Sequence, residues 1–154
     1  METCNEKHIR LSAEIAEKRE AAFQRYDEKR QNIHAEKEIE GNKYDEEKKR
    51  LQAELDEVIE RKNQLKFAGY SDMSEQIMVE KARIREIHIR QSELKINFMN
   101  KVREFARRQN DILQEYHVEK MLISREKTER QLQIEKEERE RKEMLSSQNE
   151  EKEN

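Results

Sequence analysis

The chain has 154 residues; 45% of them are charged, 32% hydrophobic and 5% aromatic. That is too little apolar material for a compact single core to offset the entropy of ordering the chain, which excludes an ordinary globular domain. A net charge of −3 gives no global attraction to nucleic acid or acidic membranes, and a chain with two glycines and no proline is not generic disorder either. What remains is an all-α chain of long helices, each burying a narrow stripe.

At the N-terminus, Thr3 and Glu6 have the spacing of a capping box. The first 22 residues mix both charge signs without an apolar block, so they do not read as a secretory signal. The one cysteine, Cys4, has no intramolecular partner and points to no oxidising compartment. A first helix is expected over 5–68. Its early seam is ragged, with Ile9, Ala16 and Phe23 on one stripe and Ile15, Ala22 and Tyr26 on its neighbour. Gly41 marks a possible kink in a continuous but weakened helix. Tyr44, Leu51, Val58 and Leu65 then recur every seven residues, with Leu55 at the paired position and Lys48 and Lys62 at others. This is a coiled-coil seam of modest quality.

Residues 69–72 form the clearest break. Gly69 suits the left-handed residue that ends a helix, and Ser71 or Asp72 can cap the next. Asp72 with Glu75 again has capping-box spacing. A second helix is expected over 73–145, followed by a charged, frayed tail over 146–154. The fold class is therefore two long helices forming an elongated coiled coil. It is either an antiparallel hairpin turning near Gly69–Ser71 or a straighter rod on a larger assembly. In the hairpin, Leu55 lies near Arg85–Ile87, Tyr44 near Ile96 and Phe23 near Tyr116.

The second helix carries two stripes. One runs Ile77, Ile84, Ile87, Gln91, Leu94 and Phe98. It then slips by four residues, a stutter, to Val102, Phe105, Gln109, Ile112, Tyr116 and Ile123. The other runs Met78, Ala82, Ile89, Ile96, Met99, Ala106 and Leu113. Two adjacent stripes predict a wide apolar face, more than one neighbour can cover, and hence a partner: another protein or another copy of the chain.

The same region is the one local charge anomaly. Lys81, Arg83, Arg85, Arg90, Lys95, Lys101, Arg103, Arg107 and Arg108 face only Glu86, Glu93 and Glu104. Such a basic amphipathic segment suits an acidic partner such as tubulin, calmodulin or a membrane surface. It equally suits internal pairing with Glu36, Glu38, Glu40, Asp45, Glu46 and Glu47 of the first helix. Nucleic acid is the weakest choice, because no recognised binding motif is present.

No chemistry emerges. His8, His34, His88 and His117 are dispersed, none with Glu three residues before it, and there is no His-Glu-x-x-His helix or cysteine pair. The two glycines exclude a phosphate-cradling loop. No catalytic, cofactor-binding or metal residue is assigned, no cofactor is expected, and no apolar run approaches a membrane span. The expectation is a non-enzymatic structural coiled coil, a scaffold or subunit of a larger assembly. It would be cytoplasmic, with cytoskeletal, centrosomal or ciliary settings the natural candidates and the nucleus not excluded. The alternative is a regulatory module acting through Lys81–Arg108.

Overall fold

A computed structural model describes residues 1–153. Among them there are two helices, α1 (Cys4–Phe67) and α2 (Glu75–Glu153), and no strand. The first begins as its sequence dictates. The Thr3 amide donates to Glu6 Oε2 and the Glu6 amide donates to Thr3 Oγ1, both at 3.2 Å, so the capping box satisfies two groups the helix cannot. The helix runs through Gly41 without a break.

Gly69 ends α1. Its φ of 95° lies in the left-handed region that an L side chain rarely enters. The Tyr70 amide donates to the Leu65 carbonyl and the Gly69 amide to the Lys66 carbonyl, both at 3.1 Å. These are the two bonds of a Schellman cap, which satisfy carbonyls left open at the helix end. The chain is then turned by Ser71 rather than by Asp72. The Ser71 hydroxyl accepts from the Met73 amide at 3.2 Å, and its carbonyl accepts from the Ser74 amide at 2.9 Å. That turn makes Ser74 the residue whose carbonyl accepts the first bond of α2, from the Met78 amide at 3.0 Å. The expected Asp72–Glu75 capping box is not formed, and α2 starts two residues later than 73. The Asp72 carboxylate instead meets Lys66 at 3.3 Å across the turn, which holds its pKa below the ordinary value. At the other end α2 continues to Glu153, beyond the expected end at Leu145. Of the segment expected to fray, residues 146–153 are helical because Glu, Lys and Gln are good helix formers and neither Gly nor Pro interrupts them, and Asn154 lies outside the described residues.

The contacts divide into two units, each an antiparallel pairing of α1 with α2. Gln31–Gln109 contains the turn and is a helical hairpin. Its buried seam includes Leu51, Leu55, Val58, Ile77 and Ile87, with Ile59 and Ile84 packed alongside, and the Tyr44 and Phe98 rings stack at 4.1 Å. Met1–Arg30 pairs with the segment from Asn110 onward through Leu11, Ile15, Ala22 and Ile123. There the Tyr26 and Tyr116 rings stack at 4.6 Å, with Phe23 edge-on to Tyr116. Each buried Leu or Ile contributes about 1.5–3 kcal/mol.

The two glycines should respond oppositely to the same substitution. Nothing lies within 4 Å of a Cβ at either position. Gly41→Ala therefore adds only helix propensity and should stabilise by about 1 kcal/mol. Gly69→Ala forces a side chain into the left-handed region and should cost about 1–2 kcal/mol. Urea unfolding of both variants checks this. Equal signs would mean that Gly69 does not hold the turn described.

Candidate interaction surface

In the Gln31–Gln109 hairpin, α2 faces α1 with a strict heptad. Ile77, Ile84, Gln91, Phe98 and Phe105 follow one another at seven-residue spacing, and Ile77 and Phe105 are buried. The intervening positions are Glu80, Ile87, Leu94, Lys101 and Arg108. The period holds past Phe98 to Phe105 and then slips, the half-buried and buried positions continuing as Gln109, Ile112, Tyr116 and Ile123, so the expected stutter is present but begins later than Val102. Lys101, itself exposed, stands at the seam edge and reaches Glu40 at 2.7 Å, and Val102 is exposed beside it. Three of the intervening seam positions are thus charged, and each is answered by an opposite charge on α1. Glu80 meets Arg61 at 3.6 Å, Lys101 meets Glu40, and Arg108 meets Glu36 at 2.6 Å. Charged seam positions answered in this way fix pairing register and direction more than they add stability.

Glu80 is the functional surprise of the seam. It is 7% exposed, bonded to Arg83 at 2.9 Å, and its Oε2 has no hydrogen-bond partner. Nothing in its residue type signals burial; the signal is its place seven residues before Ile87.

The two apolar stripes of α2 do not form one wide face. Helical geometry turns about 100° per residue, so Ile89 points away from the side on which Ile87 is buried. Ile77, Ile87 and Phe105 are buried, while Ile84, Leu94 and Phe98 are half-buried against α1. Ile89 and Ile96 are each 59% exposed on the far side, with Met78 and Met99 beside them. In the segment from Asn110 onward, Ile112 and Tyr116 are half-buried and Leu113 is exposed.

The basic residues divide along the same line. Arg90 reaches Glu54 at 3.6 Å and Glu86 at 2.8 Å, Arg83 bonds Glu80, and Lys101 and Arg108 bond across to α1. The hydrogen bond from Arg108 holds the Glu36 carboxyl below its ordinary pKa, and that from Lys101 does the same for Glu40. Arg85, Lys95, Arg103 and Arg107 are exposed and form no ion pair within 4 Å among the described residues. In heptad terms Ala82, Ile89, Ile96 and Arg103 mark the outer midline of α2, with Met78, Arg85, Met99 and Ala106 in the row beside it. Neither row carries an acid. The two rows form a basic and apolar strip facing away from α1, with Glu86 and Glu93 in the row on its other side.

The charge pattern inverts in the other unit. There α1 supplies most of the cations: Lys7 pairs with Glu137 at 3.3 Å, Lys18 with Glu126 at 2.5 Å and Lys29 with Glu115 at 3.2 Å, while Arg25 pairs with Glu119. Arg130 returns the reverse pair with Glu14 at 2.6 Å. Sequence reasoning did not find these pairs, although they are legible as opposite charges whose positions fall in step along the two helices.

Shallow grooves of about 480 and 620 Å³ flank the Tyr44–Phe98 stack and are open to solvent. Among the described residues no group of three or more His, Cys, Asp or Glu side chains converges to hold a metal ion, and no helix is long and apolar enough to cross a membrane.

Two isoleucines separated by one residue should behave differently. Ile87→Ala opens a cavity in the seam and should cost about 2–4 kcal/mol. Ile89→Ala removes an exposed side chain and should change stability by less than about 0.5 kcal/mol. Chemical denaturation with circular dichroism reads both; a comparable loss at Ile89 would place it in a buried interface. No family model, curated protein or solved structure matches the chain, and its function is to be read from these faces.

Proposed function

We propose that this chain is a non-enzymatic interaction scaffold, in which α1 holds α2 rigid and α2 presents its outer strip to a protein with an acidic surface. The observation that carries this is the coincidence of exposed Met78, Ile89, Ile96 and Met99 with Arg85 and Arg103, which have no acid beside them on the strip. A row of large apolar side chains kept in water is a standing cost unless something covers it. Cations without internal partners give that contact a sign and steer the encounter. The internally paired cations, Lys101 and Arg108, act differently: they set the register of α1 on α2 and so hold the strip in place.

The test places a photoreactive amino acid at Ile96 of the full chain in cells that produce it. A discrete polypeptide adduct is expected, and the same label combined with Arg85→Glu and Arg103→Glu should lose it. No adduct above background, or an adduct indifferent to the charge reversal, would contradict the proposal.

A further inference from the structure

The outer side of α1 in the Gln31–Gln109 hairpin is the charge complement of the α2 strip. Its midline and adjoining rows carry Glu38, Asp45, Glu46, Asp56 and Glu60, with Lys49 the cation among them away from the turn. These acids are exposed except for their reach along α1 itself, where Asp56 accepts a bond from Gln52 at 2.9 Å. One hairpin therefore has an acidic outer edge and a basic outer edge.

The two edges are also matched in level. Gln91 donates to Gln52 at 3.3 Å, Tyr44 stacks on Phe98, Lys101 bonds Glu40 and Arg61 meets Glu80. Counting along each helix from these pairs sets Arg85 level with the Asp56–Val58 turn and Arg103 level with Glu38. It sets Glu93, one of the two acids on the flank of α2, level with Lys49. Ala53, a small residue, stands level with Ile89. The signs agree at Arg85, Arg103 and Glu93 when a second hairpin is laid beside the first in the same direction and without a shift; Glu86, level with Asp56, is held by Arg90 of its own helix at 2.8 Å.

From this we infer that the occupant of the α2 strip is the outer α1 face of a second copy of this chain, juxtaposing Arg85 with Asp56, Arg103 with Glu38 and Glu93 with Lys49. The contact is heterologous, because one copy uses α2 and its neighbour uses α1. It leaves a free edge at each end of a pair, so association is open-ended unless a rotation closes it into a ring. Two copies related by a two-fold axis through α2 would set Arg85 and Arg103 against their own kind and repel. A lipid surface fits less well. A helix lying in a membrane keeps its cations at the edge of the apolar face, whereas Arg103 stands on the midline with Ile89 and Ile96 and would be drawn into the acyl boundary. The inference rests on the docking role of the outer α2 strip and names what fills it.

The experiment is sedimentation velocity on the full-length chain at low and high salt, with a compensating pair of variants. Wild type should show a mass that rises above the 18.8 kDa monomer with concentration at low salt and returns to it at about 0.5 M salt, where screening is short-ranged. Arg85→Glu with Arg103→Glu should remain monomeric, as should Glu38→Lys with Asp56→Lys, each with wild-type helicity by circular dichroism. An equimolar mixture of the two variants should associate again, because each supplies the charge the other needs. A wild type monomeric at every concentration, a variant that associates as wild type does, or a mixture that stays monomeric overturns the inference. If wild type is monomeric yet binds phosphatidylserine vesicles through Arg85 and Arg103, the docking strip stands but its occupant is lipid and self-association is wrong. If it does neither and Ile96 yields no cross-link, the docking role falls as well.

Discussion

The contact between α1 and α2 is one or two side chains wide, and the rest of the Gln31–Gln109 hairpin follows from that narrowness. Every two turns α2 offers one side chain from the row Ile77, Ile84, Gln91, Phe98 and Phe105 and a second from the row Glu80, Ile87, Leu94, Lys101 and Arg108. A seam of this kind can bury one side of a helix. The opposite side, Ile89 and Ile96 included, stays in water however well the seam packs. Apolar burial supplies the attraction, but it says little about register, since Leu, Val and Ile can exchange neighbours at small cost. Register falls to the charges. A slip by one turn would set Lys101 beside Lys43 or Lys37 in place of Glu40, and Arg108 away from Glu36.

This division of labour explains why so many charges sit in a chain with so few apolar residues. Some are structural: Glu36, Glu40 and Glu54 hold cations that would otherwise widen the basic field of α2, and Arg61 and Arg83 hold the carboxylate of Glu80 at the seam. Others are left over by geometry, and their distribution is not random. Two of the cations without an ion pair to α1, Arg85 and Arg103, lie on the outer strip of α2, and Glu38, Asp45, Glu46, Asp56 and Glu60 lie on the outer side of α1. A single hairpin thereby acquires two differently charged edges without any residue type unusual for a helix.

The fold was largely legible in the sequence. Absent proline, Gly69 before Ser71, and the sevenfold recurrence of Tyr44, Leu51, Val58 and Leu65 lead directly to two helices and a turn, and the stack of Tyr44 on Phe98 lies two residues from the expected level. What sequence reasoning missed has one physical source. It followed apolar residues and so began the stutter at Val102, whereas the seam keeps its period through Lys101 to Phe105 and slips only beyond it, at Gln109 and Ile112. For the same reason it overlooked Glu80. It also merged the two stripes of α2 into one face, although the turn of about 100° per residue already places Ile89 across the helix from Ile87. The basic segment was visible as a block, but its division into bridging and outward-facing residues depends on where the acids of α1 fall.

The pairing of α1 with one side of α2 is tested most directly by short-range chemical cross-linking in dilute, monomeric protein. With Cys4 replaced by serine, cysteines at Gln52 and Gln91 should be joined within one chain by a short bismaleimide, since these side chains bond across the seam at 3.3 Å. Cysteines at Gln52 and Ile89 should be joined far less, because Ile89 points away from α1. Equal yields for the two pairs, or linkage only between chains, would contradict the hairpin and with it the identity of the exposed strip.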